Sequence, residues 1–295
     1  MSLFSLSSKM KSVYQREVIN GTDVDSVRVS TVADVQLACS GADEVEVLLE
    51  GEISERIADD MEFTVEQKGS FLEINVELKK IFFISVTITD LKLHISLPEK
   101  VYNDVTIKSS SGDSIINNIA SKTFTGISSS GRQILTGLTV SDQLIVKGSS
   151  GDIILNNNNA GLLMAWVSSG SINSKELSCM NNNLDATSGE IHLYNEVLEG
   201  NTECKVSSGN IRVQSESFEG NLDIRATSGN VDIFSKKFAD DLQVDCHKTS
   251  GRCSVNVEGL TIKENSKNRF AGLRGKAGGS RIKADTTSGN VTIAE

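Results

Sequence analysis

A Ser-Gly step recurs along two-thirds of the chain at a nearly constant interval, and that interval constrains the fold more than any other feature. The steps read Ser-Ser-Gly or Thr-Ser-Gly. Their glycines are Gly112, Gly131, Gly151, Gly170, Gly189, Gly209, Gly229, Gly251 and Gly289. Successive spacings are 19, 20, 19, 19, 20, 20, 22 and 38 residues. The last is twice 19, so the spacing predicts one coil that has lost its own step. Such a period marks a solenoid, in which each repeat buries its apolar face only against its neighbours.

The flanking residues keep the same phase. Five positions before the glycines stand Ile107, Gly126, Val146, Ala165, Leu184, Cys204, Ile224, Cys246 and Ala284. Seven before, only Asn182 and Thr202 break an apolar series. From the third step onward, two after come Ile153, Ile172, Ile191, Ile211, Val231, Cys253 and Val291. Four after, most residues are again apolar, as at Leu155, Leu193, Val213, Ile233, Val255 and Ile293. This is the period-two alternation of half-buried strands. The two sets lie an odd number of residues apart, so a straight strand would turn them to opposite faces. The chain must bend at each Ser-Gly step for both to point inward, and glycine permits the positive φ that such a corner needs. In the first two coils Ile115 and Ile134 fall one position later. Leu177, Leu198, Phe218, Phe238 and Leu260 close their coils, with Phe218 and Phe238 in phase to stack. A parallel β-solenoid, all-β, with coils of roughly 20 residues follows.

Residues 12–100 lack the step but are strand-like, as in Val24–Val29, Val35–Leu37, Val45–Leu49, Phe63–Val65, Leu72–Val76, Ile84–Ile88 and Leu91–Leu97. Only Ser54–Asp60 suggests a short helix. The expected organisation is a flexible N-terminus over residues 1–11, a β cap over 12–100 and solenoid repeats over 101–295.

Composition removes several function classes. The net charge of −10 disfavours a general nucleic-acid or anionic-membrane surface. The nearest candidate for a membrane span, Ile81–Ile84, is strand-sized, and Met1–Lys11 holds no secretory apolar block. The chain as given thus reads as cytoplasmic by default, with no membrane insertion. None of the five cysteines forms a CxxC pair, which gives no sign of a zinc or redox site. Cys204, Cys246 and Cys253 take inward phases as core thiols. Cys204 and Cys246 should lie two coils apart, too far for a disulfide. No metal and no cofactor is expected. Of the histidines His94, His192 and His247, the last two fall between inward positions of the repeat on coils that are not adjacent, and all three read as solvated surface residues, so no catalytic set emerges.

The chain resembles the bacterial putative-adhesin family of unknown function. The carriers are Val45-Glu46-Val47, Leu97-Pro98 followed by Tyr102, the Ser109–Asp113 step, the repeated Ser-Gly steps and Gly278-Gly279-Ser280. The resemblance implies a β-solenoid and supplies no catalytic residues.

Two segments depart from the repeat. Ile127, Ile145, Met164 and Trp166 stand at outward positions that are polar elsewhere, and should form one apolar patch interrupted by Lys147. Either the N-terminal strands or the Asn156–Asn159 loop covers it, or Trp166 meets a sugar or a protein partner. The segment 261–283 is basic, and Lys267, Arg269, Arg274 and Lys276 mark a loop able to contact an anion. The hydroxyls of the corner are expected to bond neighbouring coils. The chain stops at Glu295, soon after inward Val291 and Ile293. That edge should be shielded by the basic loop or by a second copy of the chain. The reading is a non-catalytic scaffold or binding protein. A polysaccharide-active β-helix enzyme and a structural assembly protein are the alternatives.

Overall fold

The computed structural model describes residues 9–79 and 89–295. The apolar run Ile81–Ile84, the expected strand Ile84–Ile88 and most of the segment 1–11 lie outside the described residues. Met10 already begins a strand, Met10–Asn20. The helical expectation reduces to one 3-10 turn, Ala58–Asp60. Two facing sheets, of 13 and 15 strands, make up the rest. Each coil gives the 15-stranded sheet the strand before its Ser-Gly step and the 13-stranded sheet the strand after it. The Gly209 coil, for example, consists of Asn201–Ser208 and Ile211–Phe218. Both pair in parallel, in register, with their counterparts in the Gly189 coil. Coils are named below by these glycines.

The corner is a ladder of backbones. The amide of Gly209 donates to the carbonyl of Ser228, and that of Gly189 to Ser208. A Cβ on Gly209 would sit 1.8 Å from the carbonyl oxygen of Gly189, and φ there is +142°. Both the conformation and the close approach therefore demand glycine. The corner hydroxyls do not serve as the expected inter-coil bonds. Ser109 and Ser128 donate within their own coils, to Gly112 and Gly131, and only Ser111 reaches across, to Val32. The residue after the glycine makes the link instead. Asp113 Oδ1 accepts from the Arg132 amide, Asp152 Oδ1 from Ser171, Asn210 Oδ1 from Asn230, and Asn230 Oδ1 from Asn290. At this position a carboxylate or carboxamide oxygen reaches the next coil's amide.

The core lies between the sheets, and its irregular positions explain one another. Asn182 and Thr202, the polar exceptions of their series, are buried neighbours joined by a 3.0 Å hydrogen bond. Gly126 leaves the room that Gln133 fills, since a Cβ there would meet Gln133 Oε1 at 2.6 Å. Gln133 is buried where later coils carry isoleucine, and it donates to the Lys147 carbonyl. Phe218 and Phe238 pack edge to face with centroids 5.7 Å apart, a favoured aromatic arrangement.

Coil order in space differs from chain order at both ends. Ser26–Thr31 and Asp34–Ser40 already form a coil of the parallel stack, within the region expected to be only a cap. They lie between the Gly112 coil and the later strands Phe71–Leu78 and Thr89–Pro98. Antiparallel strands then extend the sheets, Glu44–Ser54 and Met10–Asn20 on one and Met61–Lys68 on the other. At the other end the Gly289 coil, Ser280–Ser288 and Val291–Ala294, lies between the Gly229 and Gly251 coils. The long interval therefore contains no coil without a step. It holds an antiparallel excursion, Thr261–Asn265 with Arg269–Arg274, on the edge of the 15-stranded sheet. Cys204 and Cys246 are three coils apart, because Ile224 and Ala284 both intervene.

The C-terminus is thus shielded by the chain's own Gly251 coil. The Glu295 amide donates to Asn256, and the Glu295 carboxylate accepts from the Glu258 amide and from Arg274. Partial burial opposes ionisation of Glu295, but those bonds prevail and hold its pKa below the usual value.

Candidate functional site

Along the outer face of the 15-stranded sheet, side chains of equal phase align coil by coil. Ile145 stands beside Met164, and Lys147 beside both Ile127 and Trp166. All four apolar residues are half-buried. The patch is therefore two adjacent side chains, Ile145 and Met164, with Ile127 and Trp166 on either side of Lys147. The Lys147 ammonium sits over the Trp166 ring, 5.0 Å from its centroid. This cation–π contact contributes about 0.5–1 kcal/mol at an exposed site. The N-terminal strands extend the sheets edgewise at the far end of the stack. Asn158 is turned into a corner, bonded to Leu138 and Leu135. Among the described residues, neither segment is laid over the patch.

Sequence reasoning missed a second apolar row. Ile115, Ile134 and Ile154 align in register on the outer face of the 13-stranded sheet, each three residues after its glycine. The one-position shift of Ile115 and Ile134 was the available signal. Farther along that face Lys175 covers Tyr194, which is 37% exposed.

Toward the C-terminal end the outer face of the larger sheet becomes charged. Glu203 pairs with Lys205 and Arg225, Lys283 with Asp285, and His247 with Asp245. The intercalated coil thus supplies its own ion pair within this field. The basic segment expected to contact anions lies beside it, and its Arg269 and Arg274 are engaged within the chain. Arg269 holds Asp245 through two bonds, of 3.1 and 2.9 Å, and also reaches Glu264. The Arg269 guanidinium keeps the Asp245 carboxyl below the usual range. Arg274 donates to the carbonyls of Phe238, Ala239 and Glu258 and to the Glu295 carboxylate. The Lys267 carbonyl accepts from Lys248, and the Lys276 amide donates to Asp241. Among the described residues of the segment, the side chains of Lys263, Lys267, Lys276 and Arg281 are left for an outside anion.

The remaining chemistry-bearing groups are held structurally. His94 lies 3.3 Å from Glu50 and His192 lies 3.1 Å from Glu190. Burial pushes the Cys204 thiol up to about 12. The Cys246 thiol is raised by its hydrogen bond to Cys253 and then by burial. Among the described residues no three histidines, cysteines or acids gather as metal ligands. No helix there is long and apolar enough to cross a membrane.

With this geometry in view, the sequence matches the Toastrack DUF4097 family over residues 26–294. The chain belongs to that family. The matched span takes in every coil, from Ser26–Thr31 to Val291–Ala294, so the Toastrack domain and the coil stack coincide. No curated protein matches the chain. Among solved structures, a putative lipid binding protein from Parabacteroides distasonis ATCC 8503 is 16% identical, with a TM-score of 0.47, over 94% of this chain and 96% of that one. A putative adhesin from Bacteroides fragilis NCTC 9343 is 12% identical, with a TM-score of 0.45, over 97% and 98%. The Toastrack assignment rests on the family match and not on these distant likenesses.

Proposed function

We propose that the chain is a non-catalytic, adhesin-like β-solenoid whose rigid outer sheet faces contact a glycan or protein surface. The carrying observation is the group Ile127, Ile145, Met164 and Trp166 on a face that becomes ion-paired toward the C-terminal end. A sheet face built from parallel coils is a fixed platform, because each strand is bonded on both sides. Apolar side chains set in it without a covering segment mark a contact surface. Its thiols support a non-catalytic role, since Cys204 is fully buried and that burial raises its pKa.

Trp166 is the chain's single tryptophan and reports on this face directly. Its half-buried ring under Lys147 should emit at an intermediate wavelength and be quenched by acrylamide. Soluble glycan fragments or a protein partner that binds here should shift the emission and slow the quenching, and Trp166→Ala should remove that binding without unfolding the stack. Emission that resists acrylamide, or binding untouched by Trp166→Ala, would sink the assignment.

A further inference from the structure

We propose that the last coil, Ser280–Glu295, is an exchangeable segment, which two copies of this chain trade to form a dimer. Its binding slot is built entirely from earlier residues. In the 15-stranded sheet, Asn221–Ser228 and Leu242–Ser250 do not pair with each other, and both pair with Ser280–Ser288. In the 13-stranded sheet, Val231–Phe238 and Cys253–Asn256 are likewise joined only through Val291–Ala294. A chain folded as far as Arg274 therefore presents a gap one coil wide, with unpaired strand edges on both sides and apolar walls. Such edges are templates for any strand of matching pattern.

The segment that fits is shown by the one present. Its inward residues Ile282, Ala284, Val291 and Ile293 are at most 1% exposed. Every second copy carries the same segment. The latch at the slot is independent of which copy supplies the coil, because Glu295 is held by Arg274 and Glu258, both of the slot's own chain.

The tether permits the exchange. Gly275–Gly279 joins the excursion to the coil, with φ of +65° at Gly275 and +97° at Gly278. It rests on Asp241, whose carboxylate accepts from the Lys276 amide and whose carbonyl accepts from Ser280. Five extended residues span roughly 17 Å, enough to pass between slots facing each other across a two-fold axis. Exchange of an identical element is a low-cost route to a closed dimer, since every contact of the monomer outside the tether is made again.

The test uses the full chain. Refolding from denaturant at high concentration should give a species of twice the 31.7 kDa chain mass that persists on dilution, while dilute refolding gives monomer. Asn230 and Asn290 touch across the slot, 3.3 Å apart, so Asn230→Cys with Asn290→Cys places two thiols in adjacent coils. Oxidation should yield a disulfide within the chain in the monomer and between chains in the dimer. A second readout needs no substitution. Labelled and unlabelled wild-type chains are refolded together, and Lys283 is linked by carbodiimide to its register partner Asp245. Exchange should give linked peptides of mixed label. Monomer at every concentration, or a dimer whose links all stay within one chain, would overturn the proposal.

Discussion

Ile211→Asp should unfold the stack at a far lower temperature than Arg212→Asp, although the two positions are adjacent. Ile211 has no exposed surface and lies between Ile191 and Val231 in the coils on either side. An aspartate there loses the apolar burial and places an uncompensated charge in the core, at a cost of about 3–5 kcal/mol. Arg212 points outward between His192 and Asp232. Its replacement sets two carboxylates side by side in solvent, which costs a few tenths of a kcal/mol, on the scale of exposed cross-strand pairs of roughly 0.2–1 kcal/mol. Melting curves followed by circular dichroism compare the two variants. Coincident midpoints would remove the assignment of inward and outward faces.

Gly209→Ala should be nearly as damaging, for a different reason. The methyl group would enter the space of the Gly189 carbonyl, and the backbone there has φ of +142°. Neither conflict can be relieved by a side-chain rotation, since the atom in the way is backbone. Strain and overpacking together cost on the order of 3 kcal/mol. Gly41→Ala is the matched control, because a Cβ there meets nothing within 4 Å. It should change stability by less than about 0.5 kcal/mol. Comparable denaturant midpoints for the two alanine variants would contradict the glycine ladder.

The corner glycines and the inward phases were legible in the sequence because both follow from local chemistry repeated many times. Ile191, Ile211 and Val231 share one phase and one fate. Coil order was not legible, and the cause lies in strand pairing. The Gly289 coil carries the same pattern as its neighbours, so any position in the stack satisfies its inward residues equally well. What fixes its place is the excursion Thr261–Arg274, which extends one sheet and returns the chain to an open slot. The Arg274 bonds to Phe238 and Ala239 then hold the stretch where the chain skips a coil. No period in the sequence encodes that detour. The basic residues of the segment read as a free patch for a related reason. Arg269 meets Asp245, 24 residues away, only through the antiparallel return of the chain along Leu242–Ser250, and Arg274 meets Glu295, 21 residues away, only when the last coil is in place. The apolar patch was legible as a set of outward exceptions, whereas the cover of Lys147 over Trp166 depended on register.

Amide hydrogen exchange along residues 291–295 reads out whether the last coil is intercalated. Chain ends ordinarily fray. Here the Val291 amide donates to Arg252 and the Glu295 amide to Asn256, while the opposite edge of the same strand bonds the Gly229 coil. The amides of Val291 to Glu295 should therefore be as protected as that of Ile211 in the middle of the stack. The outward-facing amides of Cys253 and Val255, at the open end of the 13-stranded sheet, should exchange rapidly. The reverse pattern, with residues 291–295 exchanging at unfolded rates and Cys253 and Val255 protected, would mean that the coils stack in chain order.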